Sequence, residues 1–113
     1  MATLTIQNVN HTGVAESFVA VAAGGDQFAN DGRIFIHVKN TNGASRDVTI
    51  NSQSNCNQGF DHDIVVTVPA TTGERVIGPF SPGRFNDGSG NAQITYEADS
   101  GVTIAVMRLV ANP

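Results

Sequence analysis

The stretch FANDGRIFIHVKN, Phe28 to Asn40, decides the fold class, because it joins an Asn-Asp-Gly turn to a run rich in β-branched residues. Asp31 and Gly32 accept the backbone angles of a tight reversal. From Arg33 onward the side chains alternate, with Ile34, Ile36 and Val38 on one face and Phe35, His37 and Lys39 on the other. Phe35 makes the second face partly apolar, so that face is expected to be covered as well. A weaker echo, FNDGSGNAQITYEA from Phe85 to Ala98, repeats the order of turn and then strand. The repetition makes Asp31-Gly32 and Asp87-Gly88 devices for reversing the chain, not sites, and leaves His37 as a surface or interface side chain.

Outward from this stretch, turn signals arrive at the short, even spacing of an antiparallel β domain. Thr3 to Gln7 reads as a first strand with Leu4 and Ile6 on one face. Phe18 to Ala22 reads as a second, although Gly13 to Ala23 competes as a short helix cut off by Gly24-Gly25. Asn42-Gly43 is the strongest two-residue turn signal, and predicts a hairpin between strands 33–40 and 46–52, with Val48 and Ile50 inward. The polar run SQSNCNQGFD (52–61) predicts a longer loop. Ile64 to Val68, closed by Pro69, and Glu74 to Ile77, after a TTG turn, are further strands. In GPFSPGRFNDGSG (78–90), Phe80 and Phe85 are expected to pin an irregular connection to the core. Gln93 to Ala98 and Val102 to Val110 predict a last hairpin across Asp99-Ser100-Gly101. The arm 102–110 is apolar on both faces, as expected of a strand between two layers or at a subunit interface. The fold class is therefore all-β: an antiparallel two-sheet sandwich or jelly-roll-like barrel of about eight short strands.

A chain of 113 residues is expected to form one domain, 1–113, and its 40% hydrophobic content suffices for one core. Only 14% of residues are charged, so the exterior must be built from Asn, Thr, Ser, Gln and Gly, a surface that is cheap to desolvate against another protein. A net charge of −4, with Lys39 and five scattered arginines, argues against a nucleic-acid partner. Cys56 is the single cysteine, which excludes an intrachain disulfide. No basic and apolar leader opens the chain and no run approaches the roughly 20 apolar residues of a membrane span, so synthesis in a cytoplasm and no membrane partner are expected.

Reactive groupings are sparse. Asp61-His62-Asp63 is the only local cluster of ionisable groups, and His11 and His37 are the other histidines. On a strand, Asp61 and Asp63 share a side while His62 looks away, which suits a solvated strand entry better than a metal site. A calcium site using both aspartates and the Asn-rich loop is the alternative, without the spacing of an EF-hand. No G-x-S-x-G elbow occurs, and nothing places the acidic pairs Asp26 with Asp31 or Glu16 with Glu74 in a cleft. Six Phe, one Tyr and no Trp make a poor stacking platform for sugars or bases. The expectation is a protein that is not an enzyme and takes no cofactor or metal.

The segments GGDQFANDGRIFIHVKN (24–40), VTINSQSNCNQGFDHD (48–63), VPA (68–70), ERVIGPFSPGRFND (74–87) and TIAVMRLV (103–110) together resemble small proteins of tailed phages that decorate, or cement, the capsid. The resemblance implies a β-rich protein on the outside of an icosahedral shell, usually a trimer, tying neighbouring copies of the major capsid protein together; its expected location is the virion exterior. No catalytic residues come with that family. Candidate interface residues are Leu4, Ile6, Val9 and His11 in the segment 1–11, read as a strap able to add a strand to a neighbour's edge, together with His37, Val106 and Leu109. The plainer readings are that Met1 to Gln7 pairs within its own sheet and that 102–110 is a central core strand. The rival function is a lectin-like or adhesin-like sandwich that recognises glycans through Asn- and Asp-rich loops.

Overall fold

The computed structural model describes residues 1–53 and 62–109. In chain order the elements are β1 (Ala2–Thr3), β2 (Ile6–Val9), β3 (Val19–Ala20), β4 (Asp26–Ala29), β5 (Ile34–Asn40), β6 (Arg46–Ile50), β7 (Ile64–Val68), β8 (Gly73–Ile77), the one-turn helix α1 (Pro82–Phe85), β9 (Asn91–Tyr96) and β10 (Val102–Leu109). The strands form two sheets packed face to face, one ordered β1-β4-β9-β6-β7 and the other β2-β10-β5-β8, with β3 also paired to β10. This is the expected all-β, two-sheet fold. Both sheets are mixed, because the first two strands run parallel to their partners: β1 beside β4 and β2 beside β10.

Eight strands make a jelly roll. The antiparallel pairs β3–β10, β4–β9, β5–β8 and β6–β7 nest inside one another as a long hairpin folded over itself, and β10–β5 and β9–β6 zip the turns of that roll into two sheets. Such winding sends most neighbours in sequence to opposite sheets, and it overturns both predicted hairpins. Strands β5 and β6, on either side of Asn42-Gly43, do not pair; nor do β9 and β10 across Asp99-Ser100-Gly101.

A buried amide explains the first corner. Asn40 is fully buried, and its Nδ2 donates to the carbonyls of Ala44 (2.9 Å), Pro69 (3.1 Å) and Val68 (3.3 Å) while its Oδ1 accepts the Asn42 N–H (3.0 Å). Asn42 repeats the device, its Oδ1 accepting the Ala44 N–H at 3.0 Å. Two successive Asx turns bend the chain out of one sheet and into the other. At the second corner Gly101, at φ +76°, offers its carbonyl to the Thr41 N–H at 2.9 Å, so the two corners brace each other.

The first predicted strand is broken at Leu4-Thr5. Ala2–Thr3 joins one sheet, Ile6–Val9 the other, and Leu4, whose N–H donates to the Gln27 carbonyl at 2.8 Å, packs with Ile6 against the core between them. Met1 to Gln7 therefore pairs within its own molecule. The second predicted strand shrinks to Val19–Ala20, and residues 13–23 form no helix. Most of the predicted polar loop, residues 54–61 with Cys56 and Asp61, lies outside the described residues.

Between the sheets, Phe28, Ile34, Ile36, Val38, Val48, Ile50, Val68 and Ile94 are wholly excluded from water. Each contributes about 1.5–3 kcal/mol by burial. Phe80 and Phe85 close one end as expected: Phe80 sits 5.8 Å from Phe28 and 5.7 Å from Phe85, centroid to centroid. Strand β10 runs through the middle of its sheet with β5 on one edge and β2 and β3 sharing the other. Its inner residues Val102, Ile104 and Val106 belong to the core, which accounts for one of its two apolar faces.

Candidate functional site

The other face of β10 belongs to the most distinctive surface of the molecule, the outer face of the sheet β2-β10-β5-β8. Cross-strand register sets Ala105, His37 and Val76 in one row, Thr103, Lys39 and Glu74 in the next, and Met107 beside Phe35. Ala105 and Met107 are only 2% exposed although they lie outside the inter-sheet core. The segment between β2 and β3 crosses this face. It is held first at Gln7, whose Nε2 donates to the Ser17 carbonyl (2.9 Å) and whose Oε1 accepts the Ser17 N–H (2.8 Å), a side chain imitating a strand neighbour. Phe18 then meets the His37 ring edge-on with centroids 5.0 Å apart, and the Lys39 ammonium lies 4.1 Å from the centre of the Phe18 ring.

His37 is gripped at both ends. Nδ1 is 3.0 Å from Glu16 Oε2 on the crossing segment, and Nε2 is 2.8 Å from Glu74 Oε1 on β8. Glu16 and Glu74, unrelated in the sequence, thus come together around one imidazole, on an open sheet face with no cleft between them.

Beyond Phe35 the covering segment ends and an open apolar groove of about 590 Å³ begins, bounded by Phe35, Val76, Pro79 and Leu109 with Arg33 at its rim. Val76 is 63% exposed and Leu109 56%. The groove adjoins β8, an edge strand with β5 on one side and, among the described residues, no strand paired on the other. Edge strands that carry exposed apolar side chains are surfaces for joining other chains.

The residues expected at an interface are not assembled in one place. Leu109 lines the groove, and His37 stands beside it under the crossing segment. Val106 is 1% exposed and belongs to the core, so it is unavailable to a partner; Leu4 and Ile6 pack against the same core at the opposite edge. Val9 is half-buried on β2, and His11 is exposed where the chain leaves that strand. Phe35, Val76 and Pro79 were not among the residues expected at an interface. The available signal was Phe35, which already made the second face of its strand partly apolar, and the adjacent pair Val76-Ile77, in which one of two consecutive residues must face outward.

Elsewhere the polar side chains are committed to the fold. Asp31 Oδ1 accepts the Arg33 N–H at 3.0 Å, and this bond, with the Arg108 guanidinium 3.3 Å from Oδ2, holds the carboxyl below its ordinary range. Asp87 accepts the N–H groups of Asn91 (3.1 Å) and Ser89 (2.8 Å) and the Gln93 side-chain amide (2.9 Å), which lower its pKa likewise. Asn30 and Asn86 bond each other at 2.7 Å. Asp26, 1% exposed, accepts the Tyr96 hydroxyl at 2.7 Å; burial first, and the carboxylate second, push that phenol far above its usual value. Asp63 accepts the Ser52 N–H at 2.7 Å, and its sequence neighbours His62 and Asp61 are respectively exposed and outside the described residues. Among the described residues no three His, Cys, Asp or Glu side chains converge as metal ligands.

Compared with protein-family models, with curated proteins and with solved structures, the chain matches none.

Proposed function

We propose that the chain is a structural virion protein that binds the outside of an icosahedral phage capsid and stabilises contacts between major capsid protein subunits, acting as a homo-oligomer with a trimer favoured. Jelly rolls serve capsids, lectins and small-molecule enzymes alike, so the fold does not choose among these. The observation that carries the reading is the apolar groove of Phe35, Val76, Pro79 and Leu109 beside the free edge of β8, on a molecule with few charges to desolvate. A clamp of this kind needs adhesion and rigidity without reaction chemistry, and many copies on one shell let weak contacts sum. The lectin-like reading draws less support, since Asn30, Asp31, Asn86 and Asp87 spend their side chains on their own turns.

Co-sedimentation with undecorated icosahedral phage capsids tests the proposal, together with the temperature at which those capsids release their contents. The protein is expected to pellet with the shells and raise that temperature. Binding to immobilised glycans with no effect on the shells would instead favour the lectin-like reading, and a strict monomer that never pellets would dismiss the clamp.

A further inference from the structure

We infer that the segment between β2 and β3 is a proton-sensitive latch: an imidazolium at His37 clips it over Ala105 and Met107, and loss of that proton loosens it and extends the apolar groove. The geometry carries this. A neutral imidazole has one N–H and one bare lone pair. Here both ring nitrogens face carboxylates, Glu16 Oε2 at 3.0 Å and Glu74 Oε1 at 2.8 Å, so only the doubly protonated ring donates to both. With the proton gone, one carboxylate faces a lone pair, and Glu16, on a segment that between β2 and β3 pairs with no strand among the described residues, is the side free to move away.

The other groups around His37 do not replace the clip. Lys39, two residues along β5 on the same face, places its ammonium over the Phe18 ring. From β8 the remaining charge, Arg75, turns its Nη1 to the carbonyl of Glu74 at 2.7 Å. From β10 the facing residue is Ala105, and on β2 the uncharged Gln7, one row along beside Met107, is bonded to Ser17. Once Glu16 is released, the Gln7–Ser17 bonds and the Phe18 contacts are what keep the segment down. Lifting it bares Ala105 and Met107; Met107 lies beside Phe35, so the two extend the groove of Phe35, Val76 and Leu109 into one apolar strip. This latch is a property of the isolated chain and stands apart from what the groove binds.

The two methionines make a direct test, because Met1 is 53% exposed and Met107 only 2%. Dilute hydrogen peroxide converts an accessible thioether to the sulfoxide, and peptide mass spectrometry reads each site, with Met1 and free methionine as controls. The pH values to compare are about 5 and about 8, which bracket the range in which histidines change charge. The ratio of Met107 to Met1 oxidation is expected to rise by about two- to fivefold at the higher pH, the scale on which one exposed ion pair shifts a local opening equilibrium. Glu16→Gln, at an exposed position, should fold normally and show the faster Met107 oxidation at both pH values; His37→Gln should lose the pH dependence. Equal ratios at the two pH values in the unmodified chain, or an undiminished pH dependence in His37→Gln, would overturn the latch.

Discussion

Asn40 holds the corner between β5 and β6 with a single buried amide: one side chain touches three carbonyls and one N–H from two stretches of chain, 42–44 and 68–69. Replacing it by Ala leaves those groups buried without partners, and about 3 kcal/mol of stability should be lost, since each orphaned group costs about 1–3 kcal/mol less whatever water can restore. Denaturant unfolding measures it, and a loss below about 1 kcal/mol would mean the amide is dispensable. Three residues on, Gly43 separates a corner from a hairpin. A tight hairpin would hold it at positive φ, whereas here its φ is ordinary and a Cβ would meet nothing within 4 Å. Gly43→Ala should therefore change stability by no more than about 0.5 kcal/mol, against about 1 kcal/mol or more in a left-handed turn. Acid acts through Asp31 and Asp87, whose carboxyls are held below their ordinary values by the turns they close. A lowered folded value means that the contribution is present above the unfolded pKa, near 4, and is lost as the pH falls through the folded one. Unfolding midpoints at pH 6 and pH 3 should fall less steeply in Asp87→Asn than in the unmodified chain; identical slopes would remove Asp87 from the account.

At the scale of elements, the N-terminal segment completes both sheets of its own molecule, β1 beside β4 and β2 beside β10, with Leu4 and Ile6 wedged between. Removing residues 1–9 should lower the Tm by about 10 °C, since two partly buried aliphatic side chains are together worth about 2 kcal/mol and each kcal/mol moves a domain of this size by about 4–8 °C. An unchanged Tm would return that segment to the role of a strap for a neighbour. Strand positions were legible because alternation is local: Ile34, Ile36 and Val38 announce β5, and Val48 and Ile50 announce β6. Pairing was not, because a turn signal says that the chain reverses and is silent on which sheet receives it, and β3 finds its partner β10 more than eighty residues away. Of the apolar side chains that bound the groove, only Leu109 was among the residues expected at an interface. Val106, three residues earlier on the same strand, points into the core by the parity of the pleat, and Val76 became conspicuous only once β8 proved to be an edge.

Over the whole molecule, the sandwich offers two unlike outer faces. The one built on β4, β9 and β6 carries Gln27, Gln93, Thr95, Thr49, Asn51 and Asp47, polar side chains with no exposed apolar strip among the described residues. The one built on β5, β8 and β10 carries the covered strip, the His37 clip and the open groove beside a free strand edge. A clamp on a shell would use the second. The central measurement is therefore capsid co-sedimentation of a Val76→Lys, Leu109→Lys double variant. Both side chains are more than half exposed, so each substitution should cost the fold no more than about 0.5 kcal/mol, which circular dichroism and Tm verify. The variant should remain folded, fail to pellet with undecorated shells and leave their heat-release temperature unchanged, while the unmodified chain pellets and raises it. Undiminished shell binding by the folded double variant would contradict the account.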